Sequence, residues 1–276
     1  MTTLNEKEFE QLGTINKNGI PYIKNINDWI IFRNFLVEKS KKRNPDHFDI
    51  NLSAYTPGET LSLLQKKEIK KWFQYLNTMK IPENTEAVIL VPCAASKPWF
   101  NHKNVNKSML YKAYNNIIQD IKNKKFTNVY FFTISEPLGI VPQDKWTDFP
   151  KYDNPGLFKD DFLRTGLVKT DWKNTFLKSK HLLPFDEFAY QECINQLASV
   201  IERTLSKIEM PIISFVDAKE HTTHGHMLDV VEVINPNLKI IRHFKKSKAR
   251  TSPYDYIKNT IVQDLEQLAV KKMKIL

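Results

Sequence analysis

VILVPCAASKPWF, residues 88–100, opens with four consecutive aliphatic residues, Val88 to Val91, and changes character at Pro92-Cys93. A short aliphatic run closed by proline reads as a strand buried on both faces. A cysteine therefore stands at the mouth of a buried strand. Ala94, Ala95 and Ser96 leave little bulk around its sulfur, and Lys97 adds a cation. A cation and a following helix N-terminus each favour thiolate over thiol. The same cysteine also suits an ordinary small core position, so the strand alone leaves both readings open.

Three more runs repeat the texture: NVYFFTIS (128–135), PIISFVD (211–217) and LKIIRHF (238–244). Between them lie stripes at helical spacing, Leu110, Tyr114, Ile117, Ile118 and Ile121, then Ile194, Leu197, Ala198, Ile201, Leu205 and Ile208. A closing stripe holds Ile257, Ile261, Leu265 and Leu268. Short apolar runs alternating with amphipathic stretches predict an α/β fold, a mainly parallel open sheet flanked by helices. Residues 81–276 form this α/β domain. Residues 1–80 read as a helical N-terminal extension. Its first helix is capped by Asn27 and striped by Trp29, Ile30, Phe35 and Leu36. Its second follows Pro57-Gly58 with Leu64, Ile69, Trp72, Phe73 and Leu76.

Open parallel sheets bind ligands beyond the carboxyl ends of their strands. Those ends carry Cys93, Ser135-Glu136 and Asp217, a thiol and two carboxylates. In FTISEPLGIVP (132–142), Pro137 biases Glu136 toward extended backbone and Gly139 supplies a permissive turn, which predicts a stiff loop holding one carboxylate. PKYDNPG (150–156) carries Tyr152 and Asp153 in ordinary turn chemistry. AKEHTTHGH (218–226) brings His221, His224 and His226 close together. Zinc sites ordinarily add a cysteine pair or an HExxH helix, both absent here, so no metal is expected. The histidines are read as a loop lining the site, with one touching substrate.

Lys and Arg total 41 against 31 Asp and Glu, a formal charge of +10 that favours a polyanionic partner. RHFKKSKAR (242–250) follows the last strand, so Lys245, Lys246, Lys248 and Arg250 are candidates for phosphate contact, with a solvated charge run as the plainer reading. No GxGxxG or GxxxxGK[ST] pattern occurs, which speaks against a dinucleotide or P-loop site, and no cofactor is expected. The amino terminus lacks a secretory layout and no apolar run approaches bilayer length, so a cytoplasmic protein without a membrane partner is expected. Cys93 and Cys193 read as free thiols.

PCAASKPW (92–99) resembles the PC-x3-KPY core of the archaeosine synthase catalytic-domain family, tRNA-modifying relatives of the tRNA-guanine transglycosylases. ISEPLGIVP (134–142) and the YD of residues 152–153 resemble that family's downstream PLG-VP and YD elements. The likeness covers about residues 87–250. Trp99 replaces the family's tyrosine, and its following Ser and His are met only by Asn101-His102 and Ser108, out of phase. The resemblance implies a transferase acting on a 7-cyano-7-deazaguanine base, adding lysine or another amine to the nitrile carbon. The base would sit in DNA, in tRNA or in a free nucleoside, and a stand-alone domain of this kind fits a phage setting, in the host-cell cytoplasm. It makes Cys93, Glu136 and Asp217 the catalytic candidates. Ser96, Lys97, Pro98, Trp99, Ser135, Gly139, Tyr152, Asp153, His224 and His226 become substrate-binding candidates. Two other readings stand beside it: a base-excising or ribosyl-transferring enzyme, with Asp217 stabilising an oxocarbenium-like centre and Cys93 structural, and a non-catalytic nucleic-acid-binding module.

Overall fold

A computed structural model describes residues 26–93, 97, 128–154, 157, 186–216 and 223–242. Five strands form one sheet: β1 (Ala87–Pro92), β2 (Val129–Ser135), β3 (Gly139–Pro142), β4 (Ile212–Ser214) and β5 (Ile240–Arg242). Their order across the sheet is β3-β2-β1-β4-β5. β1 pairs in parallel with β2 and β4, and β4 with β5, whereas β2 and β3 are antiparallel. The mainly parallel α/β sheet expected from the alternation of runs is thus the fold. β1 is central, and Val88 to Val91 are fully buried, as strands covered on both faces must be.

The helices are α1 (Ile26–Arg43), α2 (Pro57–Leu64), α3 (Lys67–Thr78), α4 (Glu187–Leu205) and α5 (Thr223–Ile234). No helix among the described residues is long and apolar enough to cross a membrane. By internal contacts the chain falls into two compact units, Met1–Lys71 with Pro150–Gln196, and Trp72–Phe149 with Leu197–Leu276. The sheet belongs wholly to the second.

Several local expectations need correction. Asn27 lies inside α1 rather than ahead of it, and Ile30 is exposed although Leu36 is buried. The stretch after Pro57-Gly58 is two helices, because α2 closes at Gln65 before α3 starts at Lys67. Thr56 caps α2, accepting from the Glu59 backbone N–H at 3.1 Å, while the Glu59 carboxylate accepts from Tyr55 N–H at 2.7 Å. Gly139 to Pro142, expected as loop, is a buried edge strand. Glu136, Pro137 and Leu138 form a three-residue turn after which Gly139 pairs with Ser135. Gly139 adopts φ +73°, and a Cβ there would meet Val200 at 3.4 Å, so this return of the chain requires glycine. Ile140 and Val141 can then be buried beside β2.

The Leu90 side chain is fully buried in the central strand. Leu90→Ala should therefore lower unfolding stability by about 2–5 kcal/mol, the usual cost of emptying such a site. Urea unfolding of the two proteins measures it, and a loss under about 1 kcal/mol would mean that neighbours collapse into the space.

Candidate active site

The β1–β2 register fixes the first half of the site. Pro92 pairs with Ile134, and Cys93 N–H continues the ladder by donating to Ile134 C=O at 3.1 Å. The cysteine is thereby set beside the end of β2, where Ser135 is fully buried and Glu136 is 7% exposed. The turn carrying Glu136 is tethered from α3, whose Trp72 indole N–H donates to Leu138 C=O at 3.1 Å.

The second half comes from α5. Residues 223–226, expected as loop, form the helix's first turn. Thr223, Met227, Leu228 and Val231 are buried at helical spacing, and that period is what overrides a loop in this histidine-rich stretch. Arg242, the first residue of the basic run, turns inward with a side chain only 1% exposed. It donates to Asp229, lies 3.7 Å from Glu232 and reaches Gly225 C=O at 3.4 Å. This arginine ties the end of β5 to the turn that presents His224.

At that junction His224 Nε2 lies 3.5 Å from Cys93 Sγ and 3.0 Å from Glu136 Oε2. All three ligating atoms fall within 4.8 Å of one another. Both contacts use the same ring nitrogen, so a proton on Nε2 is shared by the sulfur and the carboxylate. This differs from a relay, in which the acid holds the far nitrogen and leaves the near one to the nucleophile.

Burial acts against charge at both Glu136 and His224, and their mutual attraction overcomes it. Desolvation pushes the Glu136 carboxyl up, but the positive charge and hydrogen bond of His224, with its own backbone N–H and Lys97, bring it below the ordinary carboxylate value. Desolvation pushes His224 down, yet Glu136 and negative charge at Cys93 carry it well above the ordinary imidazole value. Each member of the pair thus favours the charged form of the other. Lys97 is itself buried.

Cys93, Glu136 and His224 are thus brought together, with Ser135 and Gly139 in the same hairpin and His226 half-buried on the same helical turn. Tyr152 and Asp153 belong to the other compact unit, where both are buried. There Asp153 accepts from Ser40 Oγ, and its carbonyl accepts from Ala54 N–H at 2.9 Å. Asp217, Ser96, Pro98, Trp99, His221, Lys245, Lys246, Lys248 and Arg250 lie outside the described residues. Cys193 is a free thiol like Cys93, but it is fully buried in α4 and pushed up to about 12 by burial and by Glu192 and Asp186.

The sequence profile of a family described as a domain of unknown function, DUF5591, matches residues 69–232, a span that contains Cys93, Glu136 and His224. The chain is 27% identical over 118 residues to archaeosine synthase subunit alpha of Thermococcus kodakarensis. That likeness covers 40% of this chain and 19% of the relative, so the chain spans a small part of the relative's length. No solved structure matches the chain.

Proposed function

The chain belongs to the DUF5591 family, and from that premise we propose that it is a transferase that adds an amine to the nitrile carbon of a 7-cyano-7-deazaguanine base carried by tRNA. One observation carries the reading: a cysteine from the PCAASKPW stretch meets the His224 imidazole at the carboxyl edge of the sheet, 3.5 Å away. The partial likeness to an archaeosine synthase subunit supports the substrate class. The chemistry is assigned to residues 81–276.

A nitrile is a weak electrophile, and covalent catalysis divides its attack into two easier steps. The Cys93 thiolate adds to the nitrile carbon, one C–N π bond breaks, and the nitrogen takes the Nε2 proton of His224. The product is a thioimidate on Cys93. The lysine ε-amine, entering neutral, then adds to the same carbon, His224 takes back one proton from the new ammonium, and the C–S bond breaks to release thiolate and an amidine. His224 gives and regains one proton and nothing is oxidised or reduced, so the cycle closes on these residues alone. Glu136 acts through His224 by favouring its charged form before the first step and its return to that form in the second. Lys97 and His226 are assigned to the substrate.

The test uses the intact mass of the protein after incubation with a 7-cyano-7-deazaguanine nucleoside and no amine. One added substrate mass on Cys93 is the expected result, followed by release when lysine is supplied. Absence of any adduct, with turnover still present, would return Cys93 to the structural role it has in the base-excising alternative. Nucleosides of tRNA and DNA from cells with and without the protein identify the polymer that carries the base.

If Lys245, Lys246, Lys248 and Arg250 contact tRNA phosphates, neutralising all four should reduce the log–log salt slope of binding by about 3, since each contact contributes about 0.7–0.9. An unchanged slope in filter binding would leave the run as solvated surface.

A further inference from the structure

Three ligand types stand around one point: the Cys93 thiol, the His224 imidazole and the Glu136 carboxylate. Sulfur and imidazole together select zinc-class ions over magnesium or calcium. With metal bonds of about 2.3 Å to sulfur and about 2.0 Å to nitrogen or oxygen, tetrahedral angles separate S from N by about 3.5 Å and N from O by about 3.3 Å. The observed S–N and N–O separations are 3.5 Å and 3.0 Å and all three atoms lie within 4.8 Å of one another, so sulfur and imidazole already stand at tetrahedral spacing and the carboxylate has to shift for an ion to enter. The two elements that bring His224 and Glu136 together are held by Arg242 and Trp72, which leaves little reorganisation for an ion to drive. Lys97 opposes a cation, but thiolate and carboxylate together balance both charges of the ion. Among the described residues, one histidine of the 218–226 stretch, His224, joins a cysteine and a glutamate from other elements.

We propose that Cys93 Sγ, His224 Nε2 and Glu136 Oε2 form a three-ligand site for one thiophilic divalent cation of the zinc class, which occupies the sulfur and removes it from nucleophilic chemistry. The ion replaces the proton now shared on Nε2, leaves a fourth position open, and acts at the proposed reaction centre as an inhibitor. Its inhibitory meaning rests on the nitrile-addition reading; the binding itself does not.

The experiment begins with chelator-stripped full-length protein titrated with Co2+ and, separately, Zn2+. One equivalent of Co2+ should bind and produce a thiolate-to-cobalt charge-transfer band. Cys93→Ser should abolish the band and weaken Zn2+ at least about 100-fold, beyond the 10- to 100-fold cost of losing an outer-sphere partner. His224→Gln should weaken Zn2+ similarly, with circular dichroism confirming that each variant is folded. One equivalent of Zn2+ should slow alkylation of Cys93 by iodoacetamide at least about 10-fold, because only a free thiolate attacks. A Co2+ spectrum unchanged in Cys93→Ser, or Cys93 alkylation indifferent to bound Zn2+, overturns the proposal. Failure of the nitrile adduct in stripped protein would instead count against the nitrile-addition reading and leave these binding results standing.

Discussion

Cys93→Ser is expected to eliminate the mass adduct and to lower turnover by about four to six orders of magnitude, the range found when a group in a covalent catalytic unit is deleted. Fold and substrate affinity should survive. The change is nearly isosteric at a half-buried position, and the backbone bond from residue 93 N–H to Ile134 C=O involves no side chain. What changes is the nucleophile: a hydroxyl is far harder to ionise than a thiol. Equilibrium binding of the nucleoside to the variant should stay within about threefold of wild type, or about 0.65 kcal/mol. Turnover that persists within about tenfold, well short of that range, would mean that the amine attacks the nitrile directly and that Cys93 shapes the pocket. The closed proton cycle would then lose its first step.

The sheet was legible because its strands announce themselves. Val88 to Val91 and Tyr130 to Ile134 are short uninterrupted buried runs, rich in β-branched and aromatic side chains and closed by proline or a turn. β3 was hidden because Gly139-Ile140-Val141-Pro142 is short and sits between two prolines, so local turn chemistry outweighs strand propensity until the partner strand is known. α5 was hidden by polar residues at its start, although Met227, Leu228 and Val231 carry a helical period. Strand ends correctly nominated Cys93 and Glu136 as neighbours, since a parallel register places equivalent positions side by side. Only the fold could make His224 their common partner, because 131 residues separate it from Cys93 and 88 from Glu136. Arg242 shows the opposite limit: sequence context placed it in a basic run, while the chain buries its side chain against half-buried carboxylates of α5.

Glu136→Gln should leave the thiol in place and remove the charge that keeps His224 protonated, which separates the proton donor from the nucleophile. In the wild type, burial alone would hold His224 below its ordinary value of 6.5, and Glu136 with Cys93 reverses that. The amide still meets Nε2 but carries no charge, so the folded value of His224 must fall. Addition to the nitrile needs the imidazolium, so the alkaline limb of the rate profile moves toward acid. At neutral pH the rate should drop by about 100- to 10,000-fold, the usual worth of a positioned acid. Stability follows by linkage. The raised His224 contributes fully below 6.5 and loses its contribution as pH rises through its folded value, whereas the lowered Glu136 contributes fully above 4.5 and loses it as pH falls through its folded value. Wild type and variant should therefore differ most in urea unfolding between pH 4.5 and 6.5 and converge on either side. A variant whose rate profile keeps the wild-type alkaline limb would show that His224 owes its charge to Cys93 rather than to Glu136. The carboxylate would then be an anchor for the hairpin turn, and the proton that reaches the nitrile would be governed by the sulfur alone.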